Sequence, residues 1–66
     1  MKITRITIFR HNGDDMTFFP KPNELLSTTI EGPMVSISRI VGGKPVKIVS
    51  IPERTIRSMT QEIDWS

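Results

Sequence analysis

Apolar and polar residues alternate, imperfectly, along Lys2-Ile3-Thr4-Arg5-Ile6-Thr7-Ile8-Phe9-Arg10, and β-branched side chains are frequent in it, so this segment predicts a strand. Ile6 and Ile8 share one face with Thr4, while Ile3 and Phe9 share the other with Arg5 and Thr7. Apolar residues on both faces suit a central strand, or one meeting a helix on one side and a partner on the other. His11-Asn12-Gly13-Asp14-Asp15 reads as a turn, because Asn-Gly accepts positive φ. Met16 to Phe19 is the return strand, ended by Pro20 and Pro22, which cannot donate to a ladder. Over Asn23 to Glu31 two readings compete. Leu26, Thr28 and Ile30 alternate as a strand would, but Asn23 could also cap one helical turn through Glu24, Leu25 and Leu26. A strand over Ser27 to Ile30 is preferred, and Gly32-Pro33 breaks the chain after it.

Met34 to Val41 and Lys44 to Val49 form a second hairpin, closed by Gly42-Gly43. A two-residue loop sets Arg39 opposite Val46, Ile37 opposite Ile48 and Val35 opposite Ser50. Val35, Ile37, Val46 and Ile48 then form the core face. Ser36, Ser38 and Lys47, with Ile40 and Val49, face solvent or a partner. Ser50-Ile51-Pro52-Glu53 has the spacing of a capping box, with Pro52 in the first turn. Ile56, Met59 and Ile63 recur at helical spacing, and Glu53 and Arg57 form an i,i+4 pair. The expected fold class is therefore α+β. It is a small antiparallel β-sheet of about five short strands in two hairpins, with one C-terminal amphipathic helix, in a single small domain over residues 1–66. That element order is similar to that of several small dimeric nucleic-acid-binding families, such as the carbon storage regulators. The likeness is one of architecture and carries no motif residues.

Size adds a constraint. A chain of 66 residues builds a marginal core, and without cysteine neither disulfides nor thiolate metal sites can reinforce it. Association is the remaining aid, so a homodimer is expected. The cysteine-free composition, the lack of a signal-peptide pattern and the lack of any long apolar run point to the cytoplasm and away from membranes.

The net charge is only +2, but it is blocked: +3 over residues 1–13, −3 over 14–31, +3 over 32–50 and −1 over 51–66. On a helix, Arg54 and Arg57 would lie near the positive end and Glu62 and Asp64 near the negative end, against the dipole. Those carboxylates would be better placed beside Arg5 or Arg10, or beside basic groups in another chain.

Candidate chemistry is sparse. His11 with Asp14 and Asp15 is the one cluster that resembles a metal or acid–base site, and the turn explains it better. Gly42-Gly43-Lys44 lacks the flanking residues of a phosphate-binding loop, since Pro45 follows the lysine. No catalytic residue, metal ligand or small-molecule cofactor is expected. The chain reads as a non-enzymatic binding module or regulator, acting on another protein through its sheet and C-terminal helix. The alternative is a nucleic-acid-binding protein, for single-stranded or duplex DNA or RNA, using Arg5, Arg10, Arg39, Lys44 and Lys47 on the strands. There the helix would add Arg54, Arg57, Ser58 and Gln61, and the phenylalanines would offer stacking. Under either reading the partner-binding candidates are Arg39, Lys47, Arg54, Arg57 and the near-terminal Trp65.

Overall fold

Extended backbone runs almost from end to end of the computed structural model, which describes Met1 to Trp65. The strands are β1 (Lys2–Arg10), β2 (Met16–Phe18), β3 (Leu25–Glu31), β4 (Met34–Val41), β5 (Lys44–Pro52) and β6 (Ile56–Asp64), with a 3-10 turn at Glu53–Thr55 between the last two. They form two three-stranded antiparallel sheets, ordered β2-β1-β6 and β3-β4-β5. The expected C-terminal helix is not present, and the α+β assignment is corrected to nearly all-β. Without that helix, the architectural likeness to the carbon storage regulators also lapses.

Both sheets contribute to one core. Ile6 and Ile8 from β1 meet Leu26, Ile37 and Ile51 from the second sheet, and Met16, Phe18, Val49, Ile56 and Met59 pack around them. The turns follow their residue chemistry. Lys21-Pro22-Asn23-Glu24 closes with a 3.0 Å bond from the Glu24 amide to the Lys21 carbonyl. Asn23 takes φ 66 there, as the third residue of a type II turn does, so it does not cap a helix. Gly32-Pro33 becomes the two-residue loop of a β3–β4 hairpin, with Glu31 opposite Met34. Gly42 and Gly43 take φ 58 and 79, the pair of positive values that marks a type I′ turn in the two-residue β4–β5 loop.

A bulge explains why the closing segment reads as a helix. From Phe9↔Ser58 to Arg10↔Ile56 the β1–β6 register shifts by one, and Arg57 is the extra residue. Ile56 and Met59 are three apart, so on a regular strand they would face opposite ways. The bulge turns both inward, where they pack on the core. Met59 and Ile63, four apart, share a face on any strand. Helical periodicity is thus produced by a bulged strand. What favours the strand is long-range: β2 covers β1 only at Ile6, Thr7 and Ile8, whereas β6 pairs it from Lys2 to Arg10. The apparent capping box dissolves for the same reason. Ser50 belongs to β5, Pro52 precedes the 3-10 turn without a side-chain cap, and the Glu53 amide bonds the Pro33 carbonyl at 2.8 Å. The Glu53–Arg57 helical pairing has no helix to stand on.

A second bulge corrects the hairpin core. Arg39↔Val46 holds, but the register shifts between Ile37 and Ser38, so Ile37 meets Val49 and Val35 meets Ile51. Ile48 is the extra residue. The core face is therefore Val35, Ile37, Val49 and Ile51, and Val46 and Ile48 are exposed.

Candidate interaction surface

The residues that carry surface chemistry sit where the Arg57 and Ile48 bulges and the Gly42-Gly43 loop place them. Across the outer face of the second sheet, Leu25, Ile40 and Pro45 form one cross-strand row, followed by Ser27, Ser38 and Lys47. On the opposite face of the same end lie Val41 and Val46. Leu25, Val41, Val46 and Ile48 are 49, 43, 54 and 37% exposed. Apolar side chains are thus uncovered on both faces of the hairpin end, beyond the reach of the first sheet.

Each strand candidate has a carboxylate partner. Arg39 follows the core side of β4, and its Nε lies 3.5 Å from Glu24 Oε2. Neither atom makes a hydrogen bond, and both are shielded from solvent. The contact is therefore an ion pair without hydrogen-bond geometry, closing off the core beside Leu26 and Val46. Lys47 points to the other face and reaches diagonally over β4 to Glu31, Nζ to Oε2 at 3.3 Å. By strand register that bridge crosses the level of Ser36, which is 0% exposed and shares a 3.1 Å hydroxyl–hydroxyl bond with Ser50. The face expected to be open to solvent or a partner is closed at its centre.

The other candidates lie elsewhere. The Arg57 guanidinium, lifted by its bulge, sits 5.7 Å from the centroid of the Phe9 ring. Arg54, with Pro33, Met34, Pro52 and Glu53, lines an open cleft of about 570 Å³ at the 3-10 turn. Trp65, just beyond β6, is 75% exposed. Arg39 and Lys47 thus occupy opposite faces of one sheet, Arg57 the outer face of the other, and Trp65 the end of β6, so the five do not converge on one patch.

The misfit acids are resolved. Glu62 meets Arg5 of β1 at 2.6 Å, and Asp64 lies directly opposite Lys2. Residues 11–15 are occupied with the turn. The Asn12 side chain accepts from the Asp14 amide at 2.9 Å, and Asp15 accepts from the Arg10 amide at 3.4 Å. Among the described residues no group of three or more His, Asp or Glu is placed to hold a metal ion. None of their helices is long and apolar enough to cross a membrane.

Sequence reasoning missed Leu25 and Val41, and placed Val46 and Ile48 inside. The signal available was Pro45 and the two lysines, which mark β5 as an edge strand, where bulges are common. No family model, no curated protein and no solved structure matches the chain.

Proposed function

We propose that the protein is a small non-enzymatic binding module of the cytoplasm. Its partner is another protein, contacted by the hairpin end of the β3-β4-β5 sheet. The supporting observation is that Leu25 on one face of that end, and Val41 and Val46 on the other, with Ile48 at the bulge, are exposed in a stretch that also carries Lys44 and Lys47. Exposed apolar side chains with charge close by are the makings of an interface that desolvates on contact. The lysines would steer an acidic partner more than hold it.

The nucleic-acid alternative loses weight from the same geometry. Of the five strand cations it would use, Arg5, Arg39 and Lys47 sit beside Glu62, Glu24 and Glu31. A phosphate would have to displace those carboxylates, and among the described residues only Arg10 and Lys44 of the five show no ion pair of that kind.

Affinity capture from source-cell lysate, with and without nuclease, tests the reading. The expected result is a nuclease-resistant protein that binds wild type and binds Val46→Asp at least about 30-fold more weakly, a loss of roughly 2 kcal/mol. The variant should keep its melting temperature within a few degrees, because Val46 is exposed. Retention that disappears with nuclease favours the nucleic-acid alternative. A protein held equally by Val46→Asp would place the contact elsewhere.

A further inference from the structure

We propose that β6 is the edge through which two copies of this chain join, antiparallel and centred on Gln61, into a continuous six-stranded sheet.

The first ground is which edges are guarded. Strands left with open ladder groups pair readily, and proteins blunt them with proline, lysine, bulges or shortness. β2 is three residues long and is followed by Pro20 and Pro22. β5 carries Pro45, Pro52, Lys44, Lys47 and the Ile48 bulge. β3 has no proline, lysine or bulge, but it touches β1 of the other sheet, so the choice between β3 and β6 rests on charge. β6 is nine residues long, is hydrogen-bonded to a strand on one side only, and holds neither proline nor lysine. Beyond Arg57 the extra residue of its ladder, Thr4, belongs to β1 and not to β6.

The second ground is charge. Arg54 and Arg57 stand at or before the start of β6, and Glu62 and Asp64 at its end. This layout served no helix. Glu62 and Asp64 are accounted for within the chain by Arg5 and Lys2, but the order of signs along the strand is not. An antiparallel second copy makes use of it, because a two-fold axis sets the basic end of one strand beside the acidic end of the other. Centred on Gln61, the pairing sets Met59 opposite the partner's Ile63 on the core side. On the outer side, Ser58 faces the partner's Asp64 and Thr60 faces the partner's Glu62. Arg57 then comes beside the partner's Asp64 and Trp65. The exposed indole gains a cation neighbour, which its own chain does not give it among the contacts described.

This pairing is independent of the partner-binding reading, since it uses a different sheet and leaves Leu25 and Val46 uncovered. Sedimentation equilibrium of the full chain tests it, with folding monitored by circular dichroism. Wild type is expected to be a dimer at micromolar concentration. Arg57→Glu and Asp64→Lys are each expected to raise the dimer dissociation constant about fivefold to tenfold, since symmetry repeats each lost pair. The double variant R57E/D64K is expected to restore it to within about threefold. That rescue is specific to a contact between chains: at about 3.3 Å per residue, Arg57 and Asp64 of one strand lie roughly 20 Å apart. A wild type that stays monomeric at about a hundred times that concentration overturns the proposal. So does a dimer indifferent to all three variants, or an assembly larger than a dimer, which would mean a different edge.

Discussion

Replacing Ile37 with alanine is expected to lower the melting temperature by more than about 10 °C. Ile37 is at the middle of β4, the central strand of its sheet, and is fully buried. It packs with Ile6 and Ile8 of the opposite sheet and with Leu26 and Ile51 of its own. Truncating such a side chain costs about 2–5 kcal/mol in transfer and cavity terms. A chain of this size has a total stability of about 3–10 kcal/mol, and each kcal/mol moves its midpoint by about 4–8 °C. A thermal melt followed by circular dichroism reads the change. A shift below about 3 °C would mean that Ile37 is not where the sheets meet.

Ser36→Leu is expected to cost about 1–3 kcal/mol, although a serine on the outer face of a two-layer protein is ordinarily replaceable. The physical reason is the Lys47–Glu31 bridge that crosses its level and the Ser50 hydroxyl beside it. A leucine must lift that bridge and leaves the Ser50 hydroxyl without its partner. Urea unfolding measures the loss. A leucine variant as stable as wild type would show that the bridge does not close this face.

Local chemistry made much of the fold legible. The β-branched run of β1, the Gly42-Gly43 loop and the break at Gly32-Pro33 each follow from what those residues permit at their own positions. So does Arg39 opposite Val46, because the tight loop fixes register close by. What was not legible depends on extra residues. Ile48 moves Val49 and Ile51 into the core and Val46 out of it, and nothing in Val46-Lys47-Ile48-Val49 marks which residue will bulge. Arg57 makes Ile56, Met59 and Ile63 share a face, as a helix also would, and Ser50 to Glu53 imitates a helix start. Periodicity does not separate these two structures. One clue stood against the helix: Glu62 and Asp64 oppose its dipole. Their position beside Arg5 and opposite Lys2 is the answer to that misfit. Of the candidate site residues, Arg39 and Lys47 lie on the strands expected, but their ion pairs depend on Glu24, in the turn before β3, and Glu31, at the end of β3, which local pattern does not bring together.

β6, paired with β1 on one side, with a basic start and an acidic end, is the feature on which the fold and the dimer both depend. Nuclear Overhauser contacts in the labelled protein test this most directly. The expected pattern is cross-strand contact between β1 and β6, with Thr7 facing Thr60, Ile8 facing Met59 and Arg5 facing Glu62, and with the register stepping by one at Arg57. Sequential amide contacts and i,i+3 contacts running from Ile56 to Ile63, without those cross-strand pairs, would be a helix and would contradict it.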